Sequence, residues 1–332
     1  MSGGEKPAPA RDTAPIVIGL VAAIVAVHDD HPLILTAPGG DGDGRDRTDD
    51  QLPFGPFDPI EHRTMEMGLR NWVKAQTGLG LAYAEQLYTF GDRGRHAQPN
   101  DVMPHEVSVG YLALTRDPLA DTPAEPHQHG QWRSWYKFFP WEDWREGKPP
   151  VLEERIEPEL RRWAAENGHS ERLRLTFGLD GLPWDEEGVL ERYEILYEAG
   201  LVFEAWRDGR SAARGRGAPP ALPGHAMQHD HRRILATAMG RLRGKLKYRP
   251  VIFELMPPAF TLFDLQRTVE AIAGGHLHKQ NFRRLVEKGG FVEPTGQVST
   301  QTGGRPAALF RFRRGVLQER PAPGLRVKAV TR

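Results

Sequence analysis

The sequence predicts an α+β protein that ends in a winged helix-turn-helix. Three observations carry this expectation. Between residues 15 and 116, apolar residues group into strand-like runs around one helical stretch, and residues 152–206 follow the helical period. Charge is divided unevenly: Arg241 to Arg332 holds 18 Lys and Arg against 6 Asp and Glu, while the rest of the chain holds 26 against 38. Within that basic portion, a capped helix, a turn, a basic helix and a basic hairpin follow one another in order.

The chain has 332 residues, enough for about two domains. Hydrophobic residues at 39% and charged residues at 27% suit a globular protein. The absence of cysteine excludes disulfides, thiolate zinc sites and a cysteine nucleophile, and it fits a cytoplasmic protein. Residues 1–14 read as a disordered tail. The apolar run from Pro15 to Val27 is shorter than the about 20 residues a membrane span needs. The mixed charges before it (Glu5, Lys6, Arg11, Asp12) make a poor signal peptide, so no membrane association is expected. With His28-Asp-Asp-His31 and Pro32-Leu-Ile-Leu-Thr36 it reads as strand, turn, strand. Glu106 to Leu114 is a second clear strand. Residues 207–224 have the composition of a linker, and Asp230 caps a helix through Ile234, Leu235, Ala238 and Leu242.

In the basic module, Thr261 and Asp264 have capping-box spacing, and Leu262, Leu265, Val269 and Ile272 give one buried stripe. Gly274-Gly275 ends that helix. A second helix over His278 to Lys288 puts Phe282, Leu285 and Val286 inward. Gln280, Arg283 and Arg284 then point outward, with Lys279, Asn281 and Lys288 on the flanks. Arg, Gln and Asn make paired hydrogen bonds to guanine and adenine edges, so Gln280, Asn281, Arg283 and Arg284 are candidates for base contact on double-stranded DNA. Lys279, Lys288 and Arg305 are candidates for phosphate contact, because cations there release condensed counterions. Arg305 lies at the tip of a hairpin whose second strand alternates Phe310 and Phe312 with Arg311 and Arg313. A winged helix used for protein contacts is the alternative use of this module.

Several segments carry a family resemblance. Pro257-Pro-Ala-Phe-Thr-Leu262, Leu265-Gln266, Lys279-Gln-Asn-Phe-Arg-Arg284 and Gly304-Arg-Pro-Ala307 resemble the C-terminal domain of the Nudix-related transcriptional regulators of NAD metabolism, in particular their alphaproteobacterial branch. Gln86-Leu-Tyr-Thr-Phe-Gly-Asp92 and Val107-Ser-Val-Gly-Tyr-Leu-Ala113 resemble their Nudix-like body. The resemblance covers most of residues 15–320 and is strongest after 225. It implies a Nudix-like α/β/α sandwich over residues 15–245 with a Pro- and aromatic-rich insertion, a winged helix over 246–320, and a tail over 321–332. It further implies a cytoplasmic homodimer that represses NAD synthesis or salvage genes at a palindromic operator. The implied effector is ADP-ribose, NAD or an adenine nucleotide such as ATP, with no catalytic cofactor. For the effector, Tyr88, Phe90 and Arg93 offer rings for a base and a guanidinium for a pyrophosphate.

A catalytic Nudix site holds Mg²⁺ on a helix of carboxylates. After Leu52-Pro-Phe-Gly55, alignment on Gly78 puts Trp72, Ala75 and Gln76 where that family has glutamates, so the expectation is no enzyme and no metal. Tyr193-Glu-Ile-Leu-Tyr-Glu-Ala-Gly-Leu201 keeps Glu194 and Glu198 but lacks the preceding context, and it reads as an ordinary amphipathic helix. The alternative is an active hydrolase of ADP-ribose or NADH-like substrates with a nucleic-acid-binding tail. His225, His229 and His231 with Asp230 match no zinc spacing and read as a helix start with surface histidines; His127-Gln-His129 is weaker still. Trp132, Trp135, Tyr136, Phe138, Phe139, Trp141 and Trp144 read as core or interface packing rather than a base-stacking site.

Overall fold

The structure, a computed structural model, describes residues 16–38, 50–92, 105–116, 130–218, 224–300 and 306–316. The expected terminal tails, Arg93, Arg305 and the His127-Gln-His129 segment lie outside them.

The apolar run is the central strand of a mixed sheet. Strand β1 (Ile16–His28) returns through a tight turn into β2 (His31–Pro38), and Asp29 and Asp30 take φ of 45° and 64°, the left-handed pair that such hairpins demand. The short strands β3 (Asp50–Gln51) and β4 (Phe54–Pro56) precede helix α1 (Met65–Thr77). Next come β5 (Tyr83–Phe90), β6 (His105–Leu114) and β7 (Gln131–Ser134). The strand order is β3-β2-β1-β6-β5, with β4 paired to β1 and β7 to β2. β1 runs parallel to β6 and antiparallel to β2 and β4.

Both faces of β1 are covered, which explains why its sequence is almost uniformly apolar rather than alternating. Leu20, Ala22 and Ile24 pack with Leu69 and Val73 of α1. Val21, Ala23 and Val25 lie in the opposite core, which contains Ile234 and Leu235. The result is an α/β/α sandwich followed by a winged helix, as the sequence predicts.

The second helical layer comprises α2 (Glu157–Asn167), α3 (Ser170–Phe177), α4 (Val189–Glu198), α5 (Phe203–Arg207), α6 (Ser211–Arg214) and α7 (His231–Tyr248). Helix α7 spans about 27 Å at 1.5 Å per residue. It touches β1, β5, β6 and α4 and reaches the first helix of the C-terminal module. The expected boundary at 245/246 therefore falls in its last turn. The module consists of α8 (Leu262–Ala273), α9 (Lys279–Gly289), β8 (Val292–Ser299) and β9 (Ala307–Phe312). Among the described residues no helix is long and apolar enough to cross a membrane.

Three local expectations are corrected. Residues 207–218 are not a free linker: Ala213 in α6 is buried, and Arg207 donates to Met227 O and His229 O. Asp230 sits at the N-cap of α7 but makes no side-chain cap bond; its carboxylate accepts from Arg233 instead. His231 is buried rather than exposed. The aromatic segment packs as core, with Trp135, Phe138, Phe139 and Trp141 fully buried, each contributing on the order of 1.5–3 kcal/mol.

Candidate nucleic-acid interface and sensor site

The C-terminal module is assembled by local and lateral bonds. Thr261 Oγ1 accepts from Asp264 N (3.1 Å) and Thr261 N donates to Asp264 Oδ2 (2.9 Å), the capping box predicted from spacing. Gly274 ends α8 with φ of 74°. The turn that follows is clamped from inside α8: Leu277 N donates to Glu270 Oε1 (2.9 Å), and Gln266 Nε2 donates to Leu277 O (3.1 Å) and Glu270 Oε1 (2.8 Å). Sequence reading missed this clamp, although the i, i+4 spacing of Gln266 and Glu270 was available to suggest it.

Helix α9 buries Phe282 and Val286 and half-buries Leu285. Lys279, Gln280, Asn281, Arg283, Arg284 and Lys288 are all exposed, as expected from the 100° spacing. Arg284 Nη2 lies 3.4 Å from Asn281 Oδ1, which it can donate to along the helix surface. The wing is tied back to the start of α8. Phe260 and Phe310 exchange both backbone bonds (3.0 and 2.8 Å), and Phe312 stacks on Phe253 with ring centres 4.3 Å apart. Arg311 faces outward and pairs with Glu293 at 2.7 Å.

Helix α1 carries Trp72, Ala75 and Gln76, the positions that the sequence resemblance aligns with carboxylates. It is capped by Thr64 and ends at Gly78 with φ of 73°. Its altered positions are occupied by side chains that grip strand β4. The Trp72 indole lies over Gly55 so closely that a Cβ there would meet ring atoms at 2.2 Å, and its Nε1 donates to Pro56 O at 2.8 Å. The Gln76 amide accepts from Phe54 N (3.2 Å) and donates to Phe54 O (2.6 Å). A carboxylate can donate to neither carbonyl at neutral pH. Ala75 is exposed. In α4, Glu198 takes a two-pronged contact from Arg172 (2.5 and 3.0 Å), and Glu194 pairs with Arg233 at 2.6 Å. These carboxylates serve an amphipathic helix, as predicted. Among the described residues, no group of three or more His, Asp or Glu side chains is placed to share a metal ion.

The start of α7 docks on β4 and the residues just before it. His231 Nδ1 accepts from Leu52 N at 3.1 Å. His229, in the left-handed region with φ of 52°, puts its ring 5.2 Å from Phe54 and 5.1 Å from His231. Burial holds its imidazole pKa below the usual value.

Residues 252–312 match the sequence profile of the NrtR DNA-binding winged helix domain. They form an NrtR-type winged helix. An 83-residue stretch is 46% identical to the ADPR responsive transcriptional repressor NtrR of Acinetobacter baylyi, covering 25% of this chain and 33% of that relative. The chain thus spans about a third of the length of the curated relative it matches. The crystal structure of Shewanella oneidensis NrtR in complex with a 27mer DNA superposes with a TM-score of 0.54 at 18% identity, covering 91% of this chain and 95% of that one. A MutT/nudix family protein from Enterococcus faecalis gives 0.52 at 14% identity, covering 93% and 90%. At these identities the likeness is one of fold.

The segment expected to bind the effector lies on β5, upstream of the NrtR-type module and against the N-terminal end of α7. The structure brings Tyr88 and Phe90 together, with ring centres 5.4 Å apart. Tyr88 is 62% exposed, but Phe90 is 2% exposed beneath the Arg233 guanidinium, 5.3 Å from its ring centre. Phe90 therefore backs the site and offers no open face, which corrects its expected role as a stacking ring. Arg233 is held by Glu194, Asp230 and Asp92. Burial would pull its pKa down, but the charges of Glu194 and Asp230 outweigh burial and raise it.

Proposed function

We propose that this protein is an effector-responsive transcriptional repressor. In this reading its NrtR-type winged helix binds DNA as a homodimer on a palindromic operator in the cytoplasm. Its Nudix-like body, from the first strand through α7, senses ADP-ribose without hydrolysing it, and the regulated genes serve NAD synthesis or salvage. The observation that carries the reading is the face of α9. Six polar or cationic side chains stand exposed around two buried apolar anchors, on a helix held by a capped, clamped turn. The likeness to a repressor named for its response to ADPR supports both the DNA partner and the effector. Gln280, Asn281, Arg283 and Arg284 contact bases, and Lys279, Lys288 and Arg305 contact phosphates. On the body, Tyr88 supplies the ring, with Phe90 behind it, and Arg93 the guanidinium.

The test is selection of bound DNA from a random pool, repeated with ADP-ribose, NAD and ATP. An enriched palindrome whose recovery changes with ADP-ribose, and with NAD or ATP less or not at all, is the expected result; half-site spacing then reports dimer geometry. Recovery without sequence enrichment, or binding insensitive to salt, would refute DNA readout by α9. Incubation with Mg²⁺ should leave ADP-ribose intact, because the positions that would hold the metal carry Trp72, Ala75 and Gln76. Robust turnover lost in Glu198→Gln would reinstate the hydrolase.

A further inference from the structure

The aromatic segment between β7 and α2 belongs to neither site above, yet its polar atoms converge on one end of the helix-turn-helix. Glu142 is completely buried, as are Arg192 of α4 and Arg243 of α7, which grip it from two sides. Arg192 donates from Nε to Oε1 (2.7 Å) and from Nη2 to Oε2 (2.9 Å), and Arg243 donates from Nη1 to Oε2 (2.7 Å). Burial alone would push the Glu142 carboxyl up, but the two guanidiniums outweigh it and hold it below the usual carboxylate range. Removing three charges from water is costly, and apolar side chains of the same volume often pack as well or better. The cluster therefore calls for a reason other than stability.

That reason lies in what the cluster holds. The last carbonyls of a helix have no partner within it. At the end of α8, the body supplies partners: the Tyr136 hydroxyl donates to Ala271 O (2.8 Å), Arg243 Nε to Ile272 O (2.9 Å), and Trp144 N to Gly274 O (2.7 Å). The fit is close enough that a Cβ on Gly274 would lie 2.5 Å from Glu142 O, 2.8 Å from Arg243 Nη2 and 2.9 Å from the Tyr136 hydroxyl. Gly274 opens the turn that leads directly into α9.

We propose that Tyr136, Glu142 and Arg243 are positioning residues that set the angle at which the body holds the recognition helix. Arg243 lies about 15 Å along α7 from Arg233, which covers the sensor segment. The same rigid helix thus links the sensor end to the bracket. This second part rests on the regulatory reading above; the bracket itself does not.

The chain has no cysteine, so spin labels can be attached at Glu166→Cys in α2 and Glu287→Cys in α9 without background. The distance distribution between them should be narrow in the otherwise unchanged protein. It should about double in width, or gain a second population, in Tyr136→Phe or Arg243→Met. Distributions as narrow and as centred as the unchanged protein's in both variants would overturn the bracket. If Arg243→Met fails to fold by circular dichroism, Tyr136→Phe alone decides. In parallel, the factor by which ADP-ribose changes operator affinity should shrink about fivefold in Tyr136→Phe while ADP-ribose binding by calorimetry is kept. A factor equal to the unchanged protein's would overturn the link through α7. An unchanged protein that ignores ADP-ribose would overturn the link together with the regulatory reading, while the distance measurement still decides the bracket.

Discussion

Helices α1 and α9 run 13 and 11 residues, and each carries hydrogen-bonding side chains at positions that the sequence singles out. On α1, Trp72 and Gln76 turn toward the molecule's own backbone: Trp72 donates to Pro56 O, and Gln76 both donates to and accepts from Phe54. On α9 they turn outward, and among the described residues only Arg284 reaches a neighbour, Asn281 on the same helix. The lesson is that a polar helix face acquires its meaning from whether its bonding capacity is already spent. A helix whose donors are satisfied by β4 is a structural staple. A helix whose exposed guanidiniums and amides make, among the described residues, no side-chain bond beyond Arg284 to Asn281 has donors and acceptors to offer another molecule.

Placing glutamate at both grip positions of α1, Trp72→Glu with Gln76→Glu, should strike hardest. It replaces donors by carboxylates against the Phe54 and Pro56 carbonyls and should lower stability by about 2–4 kcal/mol in urea unfolding. An unchanged midpoint would mean that the staples carry no load and would erase the contrast between the helices. Arg284→Ala on α9 should do the opposite: little change in unfolding, but a loss of about 1–3 kcal/mol on the selected operator and far less on random DNA, read by fluorescence anisotropy. Equal losses on both DNAs would reassign Arg284 to phosphate. Gln76→Ala sharpens the α1 side, costing about 1–2 kcal/mol of stability without moving DNA affinity. The smallest effect belongs to Lys279→Ala or Lys288→Ala. Each should reduce the slope of log affinity against log salt by about 1 and weaken binding evenly across sequences.

How far the fold and site could be read in advance follows the same division. The capping box of Thr261 and Asp264, the left-handed Gly274 and the inward face of Phe282 and Val286 were all legible, because each depends on residues three or four apart. β1 was legible as a strand through its length and its polar turn. Asp230 illustrates a local rule overridden: its carboxylate could have capped α7, but Arg233, flanked also by Glu194 and Asp92, takes it. Phe90 illustrates another: alternation along β5 shows which face it is on, but not that Arg233 of a helix 143 positions away covers its ring. The Glu142 bracket was out of reach, because its partners Arg192 and Arg243 stand 50 and 101 positions away and nothing in their own neighbourhoods marks them.

By itself, then, the sequence determined the order of elements, the absence of carboxylates at Trp72, Ala75 and Gln76 and the outward polar face of α9. Periodicity, capping and charge are short-range properties, and the chain carries them wherever it folds. Only the tertiary structure decided what Trp72 and Gln76 do in place of glutamates, that His231 reaches Leu52, and that a buried carboxylate holds the end of α8. Those outcomes depend on which distant donors and acceptors are brought within hydrogen-bonding range once the core closes. Burial then makes each such pairing obligatory, because an unpartnered polar group inside the protein would cost more than the bond that satisfies it.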